Sequence, residues 1–227
     1  MNDIIERDCR EILQRVNLKK AKGKKILITG ANGFFGQYLV STLSLANREM
    51  GLGCAIHAVS LSAPRQVIRS LMRCDKKISY KRVDVSRPFR LAGYDYIFHA
   101  AGYAQPAKFV QDPGSTVAIN VDATRLLLEA SPDATLIFFS SAEVYGDIPA
   151  HLIPVKENFN GNCTLHGPRS VYAESKRLGE ALCAAYKKNK GVNTKVVRIS
   201  HVYGPGLPPD DTRVMSEFIQ KALAEKK

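Results

Sequence analysis

The sequence predicts an α/β fold in which helices cover both faces of a doubly wound, parallel sheet. Short apolar segments alternate along the chain with segments of helical periodicity, a pattern typical of such sheets. A glycine-rich turn follows the first apolar segment directly, as it does in dinucleotide-binding α/β folds. The 227 residues, 45% hydrophobic and 24% charged, are enough for one large domain with a substantial core.

The elements are predicted in order from this periodicity. Residues 1–22 are predicted to form an amphipathic helix and a basic linker, because apolar residues between Ile4 and Val16 recur at helical spacing. A dinucleotide-binding domain of the Rossmann type follows over 23–204, and 205–227 begin a substrate-binding part that we expect to be incomplete. The predicted strands cover 25–28, 55–60, 78–83, 96–101, 134–140 and 194–199, and the predicted helices 35–47, 64–74, 117–130 and 170–189.

The turn over residues 29–36 can hold a pyrophosphate. Gly30 permits a tight turn, Gly33 lets backbone N–H groups approach the anion, and Gly36 lets the next helix pack closely on the strand. The helix N-terminus adds positive partial charge and N–H donors at the same place. A purely structural βα turn is the alternative. The residues predicted to contact a cofactor here are Gly30, Asn32, Gly33, Phe34, Phe35 and Gly36.

The net charge of +12 comes from two segments, 19–25 with five lysines and 65–90 with nine basic residues against two acids. Such patches can bind nucleic acid, but no aromatic-studded basic stripe or DNA-reading motif accompanies them. A solvated surface that attracts anionic substrates is therefore favoured over a nucleic-acid partner.

Five scattered cysteines without metal-ligand spacing predict reduced thiols and no metal site. With no apolar stretch near the ~20 residues that span a bilayer and no secretory signal, we expect a cytoplasmic protein without a membrane partner.

Tyr172 and Lys176 form the strongest catalytic pair. Four residues apart on a predicted helix, they share one face. An ammonium near a phenol favours phenolate, so Lys176 is expected to lower the pKa of Tyr172 from about 10 toward neutrality. Such a tyrosine can take a proton from a sugar hydroxyl while hydride leaves the same carbon. Ser141, at the end of the fifth strand, lies at the same sheet edge and can orient the reacting oxygen.

Seven ordered motifs now resemble the extended short-chain dehydrogenase/reductase family, in its branch of NAD-dependent epimerases and dehydratases that act on sugar nucleotides. They lie at 29–36, 84–85, 99–102, Asn120, 140–146, 172–176 and 198–205. The resemblance implies a retained nicotinamide cofactor and a nucleotide-sugar substrate. It also implies that Ser141, Tyr172 and Lys176 are the catalytic triad, with Tyr172 and Lys176 also contacting the cofactor. Further cofactor contacts implied by it are Asp84 and Val85 near adenine and Ala100, Ala101 and Gly102 along the dinucleotide.

The motifs also bear on the subfamily. Glu143, two residues before Tyr145, looks like the acidic residue that dehydratases and UDP-glucuronate decarboxylases carry in this turn, so we include it among the catalytic candidates. Ala142 replaces the aspartate that one dehydratase subgroup has there. A UDP-glucuronate decarboxylase or dehydratase is the leading interpretation. A nucleotide-sugar 4-epimerase is the alternative within the family, and a non-catalytic nucleotide-binding scaffold is the alternative of another class.

Cofactor choice is left open between NAD and NADP. An acidic residue about 20 residues beyond the glycine turn would bind the ribose 2′-hydroxyl of NAD, but 50–74 contain no acid. Ser60, at the expected strand end, and Arg65, in the following loop, instead suit a 2′-phosphate.

His99 and His201 stay outside the catalytic set because each can be a structural histidine. The family resemblance also implies a homodimer that pairs the helices over 117–130 and 170–189.

Overall fold

The computed structural model describes residues 3–89, 93–103, 105–207, 211 and 213–224. Its strands are β1 (Lys25–Thr29), β2 (Ala55–Ser60), β3 (Ile78–Arg82), β4 (Tyr96–His99), β5 (Thr135–Ser141) and β6 (Thr194–Ile199). They form one six-stranded sheet in the order β3-β2-β1-β4-β5-β6, and every neighbouring pair is parallel. Strand order reverses between β1 and β4, which confirms the doubly wound fold and places the expected ligand crevice at their carboxyl ends.

Helices connect most of the strands; among the described residues no helix lies between β3 and β4, and three α-helices lie between β4 and β5. The helices are α1 (Asp3–Arg15), α2 (Phe34–Met50), α3 (Gln66–Cys74), α4 (Pro106–Gln111), α5 (Pro113–Val117), α6 (Ala123–Ala130), α7 (Ser170–Lys190) and α8 (Val214–Ala224). A π-helical turn, Ala118–Asp122, joins α5 to α6. No helix within the described ranges is long and apolar enough to span a bilayer.

Two hydrophobic cores lie on opposite faces of the sheet. Ile26 and Ile28 of β1 pack with α2 and α3, whereas Leu27 between them packs with α6 and α7. This alternation follows from the two-residue period of a strand, which turns successive side chains to opposite faces. Both faces of β1 are covered, and its three central residues are all apolar. Cys54 and Cys183 are buried in these cores.

The N-terminal helix docks on α2. Ile5 and Cys9 are its buried residues, and they pack against Leu45. The hydroxyl of Tyr38 donates a hydrogen bond to Asp8 Oδ2 at 2.9 Å across the same contact. Burial and this bond raise the pKa of Tyr38. Residues 3–15 thus form a helix whose apolar side packs against the main body.

Some predicted boundaries differ from the observed ones. The predicted strand 96–101 ends at His99, because the chain then leaves the sheet and runs beside the glycine-rich turn. The predicted helix 117–130 begins earlier, at Pro113, where the side chain of Asp112 accepts a hydrogen bond from Ser115 N. Helix α4 was not predicted; it is short and has Pro106 in its first turn.

Candidate active site

A cleft of about 800 Å³ opens at the carboxyl edge of the sheet. This volume lies within the range of small-molecule and cofactor pockets. Its walls come from residues that follow β4 and β5, from the start of α7, from the segment after β6 and from the start of α8. The loop over 146–168 contributes Asn162, Cys163 and Thr164 to the lining. This loop thus forms part of one wall of the cleft.

The glycine-rich turn combines a packing role with an open helix end. Gly30 has φ of +68°, and a Cβ there would lie 2.6 Å from the carbonyl oxygen of Ala100. A Cβ on Gly36 would collide with the backbone of Gly30 and Ala31. At Gly33, by contrast, the nearest atom to an added Cβ is Gly30 O at 3.1 Å, and no side chain caps α2. Gly30 and Gly36 are thus required by packing, whereas Gly33 leaves room for an anion at the helix N-terminus.

A buried hydrogen-bond chain fixes the backbone beside this turn. Thr29 Oγ1 lies 2.8 Å from His99 Nδ1 and accepts a hydrogen bond from Ala101 N. His99 Nε2 lies 3.2 Å from the carbonyl oxygen of Ile119, which can only accept, so Nε2 carries the ring proton and donates it. In the neutral ring Nδ1 is therefore an acceptor, and the hydroxyl of Thr29 donates to it. Burial lowers the pKa of His99 to about 3. This histidine is neutral and holds β1, β4 and the π-helical turn together, in agreement with its expected structural role.

Lys176 is buried near the cleft floor. Its Nζ donates to the carbonyl oxygen of Phe139 at 2.7 Å and lies 5.9 Å from the centroid of the Tyr172 ring. Burial is the main reason that the pKa of Lys176 falls to about 7, and the charge of Glu180 opposes this shift. Among the described residues no carboxylate pairs with this ammonium. It keeps donor capacity for a ligand.

Tyr172 stands one helical turn before Lys176, as predicted. Its ring stacks on Phe109, with centroids 4.5 Å apart and an interplanar angle of 15°. Burial raises the pKa of Tyr172, while a hydrogen bond with Ser141 and the charge of Arg213 act in the opposite direction. The prediction that Lys176 lowers this pKa toward neutrality is therefore contradicted, because removal of the phenol from water is the largest influence.

Ser141 and Glu143 lie where β5 ends. Ser141 Oγ accepts a hydrogen bond from Glu143 N at 3.2 Å, and both residues line the cleft. The Glu143 carboxylate forms an ion pair with Arg169 at 2.8 Å. Ser141, Glu143, Tyr172 and Lys176 thus all lie in the lining of one cleft. Sequence reasoning missed Arg169, although its position directly before α7 was a signal that it faces this edge.

A second arginine was also missed. Arg213 lines the cleft, and its guanidinium pairs with Asp211, with Nη2 2.7 Å from Oδ2. The Asp211 carboxylate is buried, so Arg213 is held in one orientation. His201 and Tyr203 line the cleft as exposed side chains beyond β6. Among the described residues no group of three His, Cys, Asp or Glu side chains could hold a metal ion.

The remaining predicted cofactor residues lie at two places. Phe35, Ala100, Ala101 and Gly102 line the cleft itself. The others lie at the carboxyl ends of β2 and β3 or in the glycine-rich turn: Asn32, Phe34, Ser60, Arg65, Asp84 and Val85.

Two buried polar groups lie beside Gly102, which lines the cleft. Asn120 Nδ2 donates to Ser175 Oγ at 2.9 Å, but Asn120 Oδ1 is buried without a hydrogen-bond partner. A Cβ on Gly102 would lie 3.5 Å from this oxygen and equally far from Lys176 Nζ. A buried acceptor and a buried donor with spare capacity thus flank the same backbone, and a bound ligand with hydroxyl groups would satisfy them.

Comparisons with known proteins agree with this geometry. The UDP-glucuronic acid decarboxylase 1 of Xenopus tropicalis is 33% identical over 208 residues, which cover 91% of this chain and 48% of that protein. The chain therefore spans about half the length of this curated relative.

Two solved structures are informative. The UDP-glucuronic acid 4-epimerase of Bacillus cereus in complex with NAD has a TM-score of 0.68 and 25% identity, over 88% of this chain and 63% of that one. RMD of Pseudomonas aeruginosa complexed with NADPH has a TM-score of 0.59 and 25% identity, over 82% of this chain and 57% of that one. Residues 26–227 match the NAD dependent epimerase/dehydratase family, and the chain belongs to that family.

Proposed function

We propose that this protein oxidises C4 of a nucleotide-linked sugar transiently, and that it is a UDP-glucuronate decarboxylase. The observation that carries this proposal is the convergence of Ser141, Tyr172, Lys176 and Glu143 in one cleft. The decarboxylase relative, 33% identical over most of the chain, supports the choice of substrate. We place its activity in the cytoplasm, in keeping with its five unpaired cysteines.

The residues divide the first step among them. Tyr172 removes the proton from the C4 hydroxyl, and Ser141, which hydrogen-bonds the tyrosine, orients the same oxygen. Arg213 supplies positive charge that favours phenolate against the cost of burial, and Lys176, with its Nζ 5.9 Å from the Tyr172 ring centroid, is placed to donate to the bound cofactor. A nicotinamide cofactor held by the glycine-rich turn and Lys176 would supply the acceptor and later the donor of the C4 hydride.

The second step uses the ketone at C4. The C6 carboxylate is then β to a carbonyl, so the C5–C6 bond breaks with release of CO2, and its electron pair moves toward the C4 oxygen. A proton must then reach C5. Glu143 is the candidate acid, because its carboxylate lines the cleft next to Ser141.

One observation favours a 4-epimerase as the second candidate. The ion pair with Arg169 occupies the Glu143 carboxylate, and an epimerase needs no acid beyond the triad. The same pair is compatible with a loop carboxylate that has no chemical role. The two enzymes share the oxidation at C4 and differ in the product.

Product analysis separates these candidates. The purified protein is incubated with UDP-glucuronate and either NAD⁺ or NADP⁺. Release of CO2 with UDP-xylose or its 4-keto form supports the decarboxylase, whereas UDP-galacturonate with the carboxylate retained supports the epimerase and removes the leading proposal.

Tyr172→Phe should abolish turnover and keep cofactor binding. Tyr186→Phe, on the same helix and bonded to Glu129 outside the cleft, is the matched control. A scaffold protein would show no turnover and no effect of Tyr172→Phe on binding.

The proposal includes a homodimer that pairs α6 and α7 between subunits. Val117 on α5 and Val171 and Leu178 on α7 are exposed apolar side chains at this surface. Analytical ultracentrifugation of the wild type and of Leu178→Glu tests it. A dimer that becomes monomeric in the variant supports the pairing, and a wild-type monomer refutes it.

A further inference from the structure

The carboxyl end of β2 lacks the acid that an NAD site uses. In Rossmann folds an Asp or Glu about 20 residues beyond the glycine turn binds the ribose 2′-hydroxyl. Here β2 ends at Ser60, and no Asp or Glu occurs from Met50 to Cys74. Register places Ser60 one residue beyond the Thr29–Val59 pair, beside the glycine-rich turn. Ser60 therefore occupies the position at which an NAD site carries its Asp or Glu, and it offers a hydroxyl in place of a carboxylate.

Asn32 holds the loop after β2 against that turn. Its Nδ2 donates to Ser62 Oγ at 2.8 Å and to the carbonyl oxygen of Ala63 at 2.7 Å. Its Oδ1 accepts from the backbone N–H of Arg65 at 3.1 Å. The side chain of Asn32 is nearly inaccessible to solvent, so these bonds fix the loop. Arg65 is thereby anchored next to the predicted diphosphate site.

A second arginine reaches the same place from β3. Arg82 is the register partner of Ser60, and its Nε donates to the carbonyl oxygen of Leu61 at 3.3 Å. Arg65 and Arg82 are both exposed, and within the described part of the chain neither guanidinium pairs with a carboxylate. Two arginines without a carboxylate partner, one in the loop after β2 and one on the neighbouring strand, make the end of β2 a site for a phosphate dianion.

The acids of this region do not neutralise the site. Asp84, two residues after Arg82, accepts hydrogen bonds from the backbone N–H and the hydroxyl of Ser86 and pairs with Arg87 at 3.3 Å. Asp75 is buried at the opposite, amino-terminal edge of β3, where it accepts from Asn47. The local charge at the end of β2 therefore stays positive.

From these observations we infer that the protein selects NADP over NAD, with the 2′-phosphate bound by Ser60, Arg65 and Arg82. The inference rests on the dinucleotide site of the proposed function and adds the phosphorylated form of the cofactor. NAD is the cofactor named for the family, and the related RMD structure contains NADPH, so the fold accepts either form.

Binding, not activity, tests the inference. Isothermal titration calorimetry of the purified protein at fixed salt measures Kd for NADP⁺ and NAD⁺, and for adenosine 2′,5′-bisphosphate against 5′-AMP. We expect the 2′-phosphorylated member of each pair to bind at least about tenfold more tightly. Arg65→Ala should weaken NADP⁺ about tenfold and leave NAD⁺ within about twofold. Ser60→Asp should reverse the preference, because its carboxylate accepts from a 2′-hydroxyl and repels a phosphate.

Arg73→Ala is the matched control, since it removes the same charge from the same helix about 12 Å further along. It should change neither Kd. Equal affinities, or tighter NAD⁺ binding, would overturn the inference and leave the proposed function intact. Binding of neither dinucleotide would overturn both. Tight NADP⁺ binding without turnover of any nucleotide sugar would support the inference and contradict the proposed function.

Discussion

The ammonium of Lys176 donates a hydrogen bond to the carbonyl oxygen of Phe139 at 2.7 Å. The bond ties the start of α7 to the end of β5, the two elements that carry Tyr172 and Ser141. One neutral acceptor does not compensate the removal of a cation from water. The site therefore contains a buried charge whose cost depends on pH.

That cost should be visible in the stability of Lys176→Met. Burial holds the pKa of Lys176 at about 7, below its ordinary 10.5, so the unfolded chain binds a proton that the folded chain gives up between these values. The penalty is complete below about pH 7 and is relieved as pH rises toward 10.5. The difference in stability between Lys176→Met and wild type should therefore favour the variant more at about pH 6 than at about pH 10. Thermal unfolding of both proteins without ligand at the two pH values measures this difference. Lys188→Met, exposed on the same helix, should show no such trend.

Glu143→Gln should separate chemistry from loop structure. Its ion pair with Arg169 joins partly exposed side chains, so losing it should cost at most about 1 kcal/mol of unfolding free energy. If Glu143 delivers the proton to C5, decarboxylation should fall by about 10²- to 10⁴-fold. Single-turnover assays and thermal unfolding measure the two effects. Glu174→Gln, whose partner Arg177 lies one turn along α7, serves as the control. Unchanged decarboxylation would return Glu143 to a structural role.

Much of this architecture is predictable from the sequence because local rules decide it. β2 and β6 have the predicted bounds, since short apolar or β-branched runs end there at loop signals. The four catalytic candidates meet in one cleft because parallel strands bring their carboxyl ends to one edge.

Other features depend on contacts between distant segments. Nothing near Tyr172 in the sequence indicates that Phe109 stacks on its ring. The burial of Tyr172 raises its pKa, which is the opposite of the expected shift. Arg82 lies beside Ser60 only through strand register. Sheet neighbours and depth of burial are set by the whole fold, so periodicity along the chain does not contain them.

His99→Asn should change how stability responds to acid. Because burial lowers the pKa of His99 from 6.5 to about 3, the unfolded chain binds a proton between these values that the folded chain does not. Wild type therefore loses stability as pH falls through this window, and the variant lacks this contribution. The variant keeps an acceptor for Thr29 but loses the bond to Ile119, so near neutrality it should be less stable by about 1–3 kcal/mol. Chemical denaturation at several pH values should show this gap narrowing toward pH 4. A constant gap would mean that His99 does not titrate on unfolding.

The glycine-rich turn allows a test of binding against packing. An added methyl group at Gly36 meets the backbone of Gly30 and Ala31, which cannot move without disturbing β1. At Gly33 the nearest atom among the described residues is Gly30 O at 3.1 Å, which must shift by a few tenths of an ångström, and no side chain caps α2 there. The first position is closed by the fold, whereas the second needs only a small local shift unless a ligand approaches.

Gly36→Ala should accordingly destabilise the protein by about 1–3 kcal/mol or more, as overpacking does. Gly33→Ala should keep a thermal midpoint close to wild type and weaken dinucleotide binding at least about tenfold, because the methyl group stands between the backbone N–H donors and the diphosphate. Gly114→Ala, where the nearest atom to the new Cβ is Asp112 Oδ1 at 3.9 Å, should alter neither property. Thermal unfolding and calorimetric titration of the three variants decide the matter. Undiminished binding by Gly33→Ala would make the turn a structural connection, because a diphosphate held there could not tolerate the added carbon.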